Sequence, residues 1–233
     1  MNRKIDVRQR NIVRILASFL KRFPSLASIK PERYLDLGCG NGELTLKVSK
    51  IMGAKEVYGV DIDEESLLLA TEKQIKTFKV DLNRDRLPFE DNTFDLVTSF
   101  DVIHYLVNTD NLISEAYRVL KPGGYFIITT FNLASWVNRL LLLLGYLPYF
   151  CEVSFSVDVE KRPFQNSSGV GGVIRAYTFK TLQRHLEYYG FDVIYSTSFS
   201  TLYVSKNLLM RAINRILSLR KTLGGNIAIL ARK

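Results

Sequence analysis

Hydrophobic residues along this chain recur with two different periods, and the switches between them mark out the elements. Short β-rich apolar runs predict strands near 33–37, 57–61, 76–81, 94–99 and 124–131, with residues at helical spacing in the gaps. Strands alternating with helices predict an α/β fold with a doubly wound parallel sheet. The run KPGG, Lys121 to Gly124, reads as a helix stop and turn ahead of the fifth strand. Beyond it the pattern predicts a helix-rich stretch to about 150, a loop to about 176 and a helix near 178–189, then two closing apolar runs, Phe191 to Phe199 and Asn226 to Lys233. Both ends carry helical stripes: Ile12, Val13, Leu16, Phe19, Leu20 and Phe23 in the first, Leu209, Ile213, Ile216 and Leu217 in the second.

One junction carries chemistry as well as fold. In YLDLGCGNGELTLKV, Tyr34 to Val48, an apolar run stops at Gly38, Gly40 and Gly42 and a helical pattern begins at once. A strand, a tight turn and a helix are implied, with glycines that let a ligand lie against the backbone. The next apolar run, Val57 to Val60, ends in Asp61, 23 residues beyond Gly38. That position suits a carboxylate that accepts hydrogen bonds from a ribose. The spacing is G-x-G-x-G after Asp36, not the G-x-G-x-x-G that seats a pyrophosphate on a helix N-terminus, so the expected ligand is a nucleoside cofactor other than a dinucleotide.

Four blocks in order resemble the class I S-adenosylmethionine (SAM)-dependent methyltransferases: DLGCGNG (Asp36 to Gly42), VYGVDID (Val57 to Asp63), LPFEDNTFDLVTSFDVIHYL (Leu87 to Leu106) and RVLKPGGYFIITT (Arg118 to Thr130). The last two are most similar to the branch containing the ubiquinone and menaquinone biosynthesis methyltransferases. The resemblance implies one methyltransferase domain over 1–233, with a seven-stranded, mostly parallel, Rossmann-like sheet and an antiparallel last strand. It implies SAM as cofactor: Asp36, Gly38, Cys39 and Gly40 on its methionine part, Asp61 and Ile62 on the ribose, Asp81 and Leu82 on the adenine, and Phe100 and Asp101 closing the methionine side. It also makes His104, in DVIHYL, the candidate general base, with a helix-start histidine that shapes the cofactor pocket as the alternative. His185 reads as a surface or packing residue.

In this branch the acceptor is usually recognised by the segment after the fifth strand and by the N-terminal helix. Here that segment is 132–176, with Asn132, Trp136, an aromatic cluster at Tyr146, Tyr149, Phe150 and Phe155, and Arg175; Tyr105 joins the same expected cavity. This composition suits a small or lipophilic acceptor, methylated at oxygen or carbon. Transfer of a methyl from a sulfonium is an in-line displacement, so the protein chiefly aligns the reactants and excludes water.

Charge changes the picture at the ends. Residues 1–33 carry nine Lys/Arg against two Asp/Glu, residues 205–233 carry seven against none, and the middle is acidic, within a net charge of +9. The helices expected over 1–30 and 205–223 are thus basic and amphipathic: covers for the sheet, peripheral contacts with anionic membrane, or a polyanion-binding surface. A nucleic-acid methyltransferase or binder is the rival reading, disfavoured because SFDVIHY stands where amino-methylating nucleic-acid enzymes carry Asn/Asp-Pro-Pro-Tyr/Phe and no Pro-Cys is present. The glycine spacing disfavours an NAD-dependent oxidoreductase. Cys39 and Cys151 form no disulfide framework or metal motif. No secretory signal is read at the N-terminus, and the apolar stretch from Leu140 is shorter than the ~20 residues of a spanning helix, so a cytoplasmic setting is expected. No metal is expected at the site.

Overall fold

The computed structural model describes residues 2–22, 29–151, 154, 172–199, 216–217 and 220–233. In chain order they form α1 (Asn2–Arg22), β1 (Arg33–Leu37), α2 (Glu43–Met52), β2 (Glu56–Asp61), α3 (Glu64–Thr71), β3 (Lys76–Lys79), β4 (Phe94–Phe100), a 3-10 turn (Ile103–Tyr105), α4 (Thr109–Val119), β5 (Leu120–Phe131), α5 (Trp136–Leu143), α6 (Phe179–Tyr188), β6 (Asp192–Phe199), a second 3-10 turn (Lys221–Leu223) and β7 (Asn226–Arg232). The seven strands lie in the order β3-β2-β1-β4-β5-β7-β6. All ladders from β3 to β5 are parallel, and β7 runs antiparallel between β5 and β6. Strand order reverses between β1 and β4, which opens a crevice at their carboxyl ends.

Side chains alternate across the sheet and both faces are covered, as a parallel sheet requires. Leu35, Val97, Phe126, Ile128, Ile227 and Ile229 pack under α4 and α6, through Leu112, Ile113, Ala116, Leu182 and Leu186. Tyr34, Leu96, Ile127, Ala228 and Leu230 point the other way, toward α1 and α2. On α1 the inward stripe is Ile12, Ile15, Leu16 and Phe19, all buried, with Val13 and Leu20 half-buried. Phe23 lies outside the described residues. The apolar face of this basic helix is therefore a cover on the sheet. Of the second expected basic helix, 205–223, only 216–217 and 220–223 are described.

Helix ends follow local chemistry. Gly53 closes α2 in the left-handed conformation, Asn108 and Ser135 cap α4 and α5, and Thr178 with Thr181 forms a capping box on α6. Two boundaries differ from the sequence pattern. The KPGG run sits inside the β4–β5 ladder rather than before it: Phe94 pairs with Leu120, Leu96 already pairs with Tyr125, and the extra residues bulge out. The bulge is held by Gly123 N–H to Lys233 O (2.9 Å) and Lys233 N–H to Gly124 O (3.0 Å), contacts with the far end of the chain. At the other edge, β3 stops at Lys79 because Asp81 turns the chain by accepting from the Asn83 N–H at 3.0 Å. No helix among the described residues is long and apolar enough to cross a membrane.

Candidate active site

A cavity of about 540 Å³ opens at the carboxyl ends of β1, β2 and β4, within the usual size of ligand pockets. The glycine turn forms its floor. Gly38 and Cys39 both donate to the carbonyl of Val60, at 2.8 and 3.0 Å, which ties the turn to β2. A Cβ on Gly38 would come within 2.3 Å of Val102 Cγ2, at a φ of +80. Gly40 also has positive φ, but a Cβ there would meet nothing within 4 Å, so that backbone faces open space on the cavity side.

Two carboxylates flank the turn in different states. Asp61, at the tip of β2, accepts from Gly40 N–H at 2.7 Å through Oδ2 and from Asp63 N–H at 3.1 Å through Oδ1. Each oxygen keeps a further lone pair for a ligand hydroxyl. Asp36 lies one layer beneath, 2% exposed and not among the lining residues. Thr45 Oγ1 donates to it at 2.5 Å and Thr98 Oγ1 at 2.6 Å. Because Thr98 has one proton and gives it to Asp36, the Tyr34 hydroxyl, 2.8 Å away, donates to Thr98. Burial pushes the Asp36 carboxyl up to about 6, against the pull of the two threonines, and pushes the Tyr34 phenol well above its usual range. The glycine turn thus rests on a buried carboxylate fed by hydroxyls.

Of the sequence candidates, Gly38, Cys39, Gly40, Asp61, Ile62, Asp81, Leu82, Phe100, Asp101 and Tyr105 come together around the cavity. Cys39 lies where Gly59 makes room for it, a Cβ there falling 2.6 Å from Sγ. Burial pushes its thiol well above the ordinary cysteine range, so it is a wall and not a nucleophile. Asp81 is held by Asn83 and Arg84, and hydrogen bonds from Asn83 keep its carboxyl below the usual range, so it stays an acceptor. Asp101 takes the left-handed conformation (φ 59) and accepts from Thr129 Oγ1 at 2.9 Å. Ile12, Asn41, Leu44, Val80, Asn83, Val102 and Leu106 also line the cavity, which the sequence reading missed. Only their adjacency to the motifs, or for Ile12 its place on the helical stripe, could have pointed to them.

The acceptor-side candidates are placed differently. His104 is buried beside the cavity rather than lining it, with Nδ1 3.0 Å from Thr130 Oγ1 and its ring against Tyr105 and Phe131, at 4.2 and 4.9 Å. Phe131 in turn stacks on Phe150 at 4.6 Å. Trp136 is half-buried at the start of α5, away from the cavity. Asn132 and Arg175, expected on the substrate side, do not line the cavity and make hydrogen bonds within the chain. The Asn132 amide donates to the carbonyls of Thr222 and Gly224, at 3.0 and 2.8 Å, and accepts from Ala134 N–H at 3.0 Å, which commits it to fastening β5 to the approach of β7. The Arg175 guanidinium donates to the Val107 carbonyl through Nε and Nη2. His185 bridges Tyr177 and Asp110, at 3.0 and 2.7 Å, and packs as expected.

The sheet order, the glycine turn and the acidic tip of β2 together define a SAM-dependent methyltransferase. The chain belongs to the class I SAM-dependent methyltransferases, on the strength of a relative 32% identical over 73% of its length, and its residues 35–128 match the methyltransferase domain model; SAM is the cofactor. It is similar to the demethylmenaquinone methyltransferase of Symbiobacterium thermophilum, 32% identical over 179 residues, 73% of this chain and 68% of that one. With the ubiquinone/menaquinone biosynthesis C-methyltransferase UbiE of Brucella canis it is 36% identical over 105 residues, 42% of this chain and 39% of that one. This chain therefore spans about two fifths of the UbiE relative's length. Among solved structures, a SAM-dependent methyltransferase from Archaeoglobus fulgidus superposes with a TM-score of 0.58 at 23% identity, covering 95% of this chain and 94% of that one, and shares the fold.

Proposed function

We propose that this enzyme methylates a small, lipophilic, quinol-type aromatic acceptor at carbon. The observation that carries the reading is the aromatic cluster at the end of β5, where buried His104 and Phe131, half-buried Phe150 and exposed Tyr105 gather beside the cofactor cavity. The names of the relatives point to the same acceptor class. The cavity suits the cofactor: Gly40 leaves open room for its methionine part, Asp61 offers acceptors to ribose hydroxyls, and Asp81 with Leu82 faces the adenine. When bound, SAM supplies an electrophilic methyl with a neutral thioether leaving group.

The chain's own residues then have three tasks. The glycine turn and Asp61 fix the cofactor so that its methyl faces the acceptor side, which supplies orientation. Phe131, Phe150 and Tyr105 exclude water and favour a flat apolar ring. His104, with Nδ1 held by Thr130, takes the phenolic proton of the acceptor, which raises electron density at the adjacent ring carbon for attack on the methyl; the hydrogen on that carbon then leaves as a proton and restores the phenol and the aromatic ring, so one proton is released in all. The test is incubation with radiolabelled SAM and a short-chain demethylmenaquinol. Label in the quinone fraction on a ring carbon is expected. Label found only in protein, nucleic acid or a water-soluble product would contradict the assignment.

A further inference from the structure

The peptide at Val107 is gripped from two sides. From the cofactor side, Asn83 Oδ1 accepts from the N–H groups of Val107 (2.8 Å) and Asn108 (3.2 Å), and Asn108 Nδ2 donates back to Asn83 O at 3.0 Å. From the acceptor side, Arg175 Nε and Nη2 donate to the Val107 carbonyl at 3.1 and 2.9 Å. The backbone N–H groups of Ile174 and Arg175 donate to His104 O, at 2.8 and 3.1 Å. Asn83 meanwhile holds the Asp81 carboxylate with its own N–H and its Nδ2. Val107 is 58% exposed, so hydrogen bonds rather than apolar packing fix this peptide. The residue types fit the task. Position 83 must accept from two amides and donate to a carboxylate, which an amide can do and an ionised Asp cannot; position 175 gives two donors to one carbonyl.

We propose that Asn83 and Arg175 are positioning residues that couple the cofactor end of the cavity to the strap at 172–177 and to the 104–108 segment that carries His104 and Tyr105. The inference rests on the cavity being the SAM site. A ligand shifts such an arrangement only if it interacts differently with its two states. An adenine held by Asp81 would fix the carboxylate on which Asn83 leans, and so would tighten the whole chain of hydrogen bonds out to the strap.

Hydrogen exchange with S-adenosylhomocysteine (SAH) tests this without any acceptor. In the wild type, saturating SAH should slow exchange in a peptide spanning 172–178 by about fivefold or more, the low end of ordinary coupling between sites. Arg175→Gln, at an exposed position that does not line the cavity, should bind SAH as the wild type does and keep the gain at Val107 and Asn108, yet lose it at Ile174; Arg175→Lys should recover part of it. Asn83→Ala, at saturating SAH, should lose both gains. Strap protection that does not change on SAH binding, or that survives intact in Arg175→Gln, overturns the coupling. Calorimetry on the same samples separates this from failure of the site itself: no SAH binding would overturn the cavity assignment and the coupling with it.

Discussion

The two halves of the catalytic crevice are built on opposite plans. The cofactor half is made from the turns at successive strand ends between Asp36 and Asp101, tied together by contacts such as Gly40 N–H on Asp61, Asn83 on Asp81 and Thr98 on Asp36 that link residues of that one stretch. The side proposed for the acceptor draws instead on segments after β4 and β5: His104 on Thr130, Asn132 on Thr222 and Gly224, Arg175 on Val107. A nucleoside cofactor common to many enzymes is recognised by a local device, backbone turns and single carboxylates at fixed strand ends. Recognition of an acceptor falls to whatever the later segments bring alongside. The difference predicts that substitutions on one side separate cleanly, in their kinetic signature, from those on the other.

The largest effect should come from buried Asp36, beneath the cofactor half. Its folded pKa of about 6 lies above the ordinary 3.8, so the native state holds its proton more tightly than the unfolded chain. Below both values Asp36 makes no difference to stability; as pH rises from about 4 to 6 its contribution becomes unfavourable, reaching about 3 kcal/mol above that window. Denaturant titrations at several pH values should show the wild type losing stability relative to Asp36→Asn across that interval. Parallel curves would mean that the carboxyl is not shifted.

Next in size is His104, on the acceptor side. His104→Ala should lower kcat by roughly a hundredfold or more with quinol substrates, while SAH affinity stays near wild type. Loss of SAH binding would break the comparison by moving His104 to the cofactor half. Asn132→Ala should instead destabilise the fold by about 2 kcal/mol, the loss of its buried amide bonds, measured by thermal or urea unfolding. If KM for the acceptor rises with stability unchanged, Asn132 contacts substrate after all.

The same split governs what could be read from the sequence. The glycine turn, Asp61, Asp81 and the strand-end Phe100 and Asp101 are legible because each sits at a fixed offset within a contiguous strand-turn-helix pattern. Five strands are legible through the alternation of periods, and the last two through the resemblance of the closing apolar runs to the methyltransferase sheet. Position in a motif does not reveal that Asp36 lies beneath the cavity, where two threonines donate to its carboxylate. The KPGG turn was placed outside β5 because its partner, Lys233, is at the far end of the chain. Asn132 and Arg175 looked like acceptor contacts by type and location, yet their hydrogen bonds go to carbonyls that only the folded chain supplies. Ile12 reached the cavity from α1 by tertiary packing that no local pattern states.

The central claim is that the cavity over the glycine turn is the SAM site and that Asp61 anchors the nucleoside there. Titration calorimetry of SAH and of NAD against the wild type and Asp61→Ala tests it directly. The account predicts that SAH binds the wild type, that NAD does not, and that Asp61→Ala weakens SAH by about 1.5–3 kcal/mol, the worth of hydrogen bonds to a charged group. NAD binding in place of SAH, or equal SAH affinity in the two proteins, would contradict it.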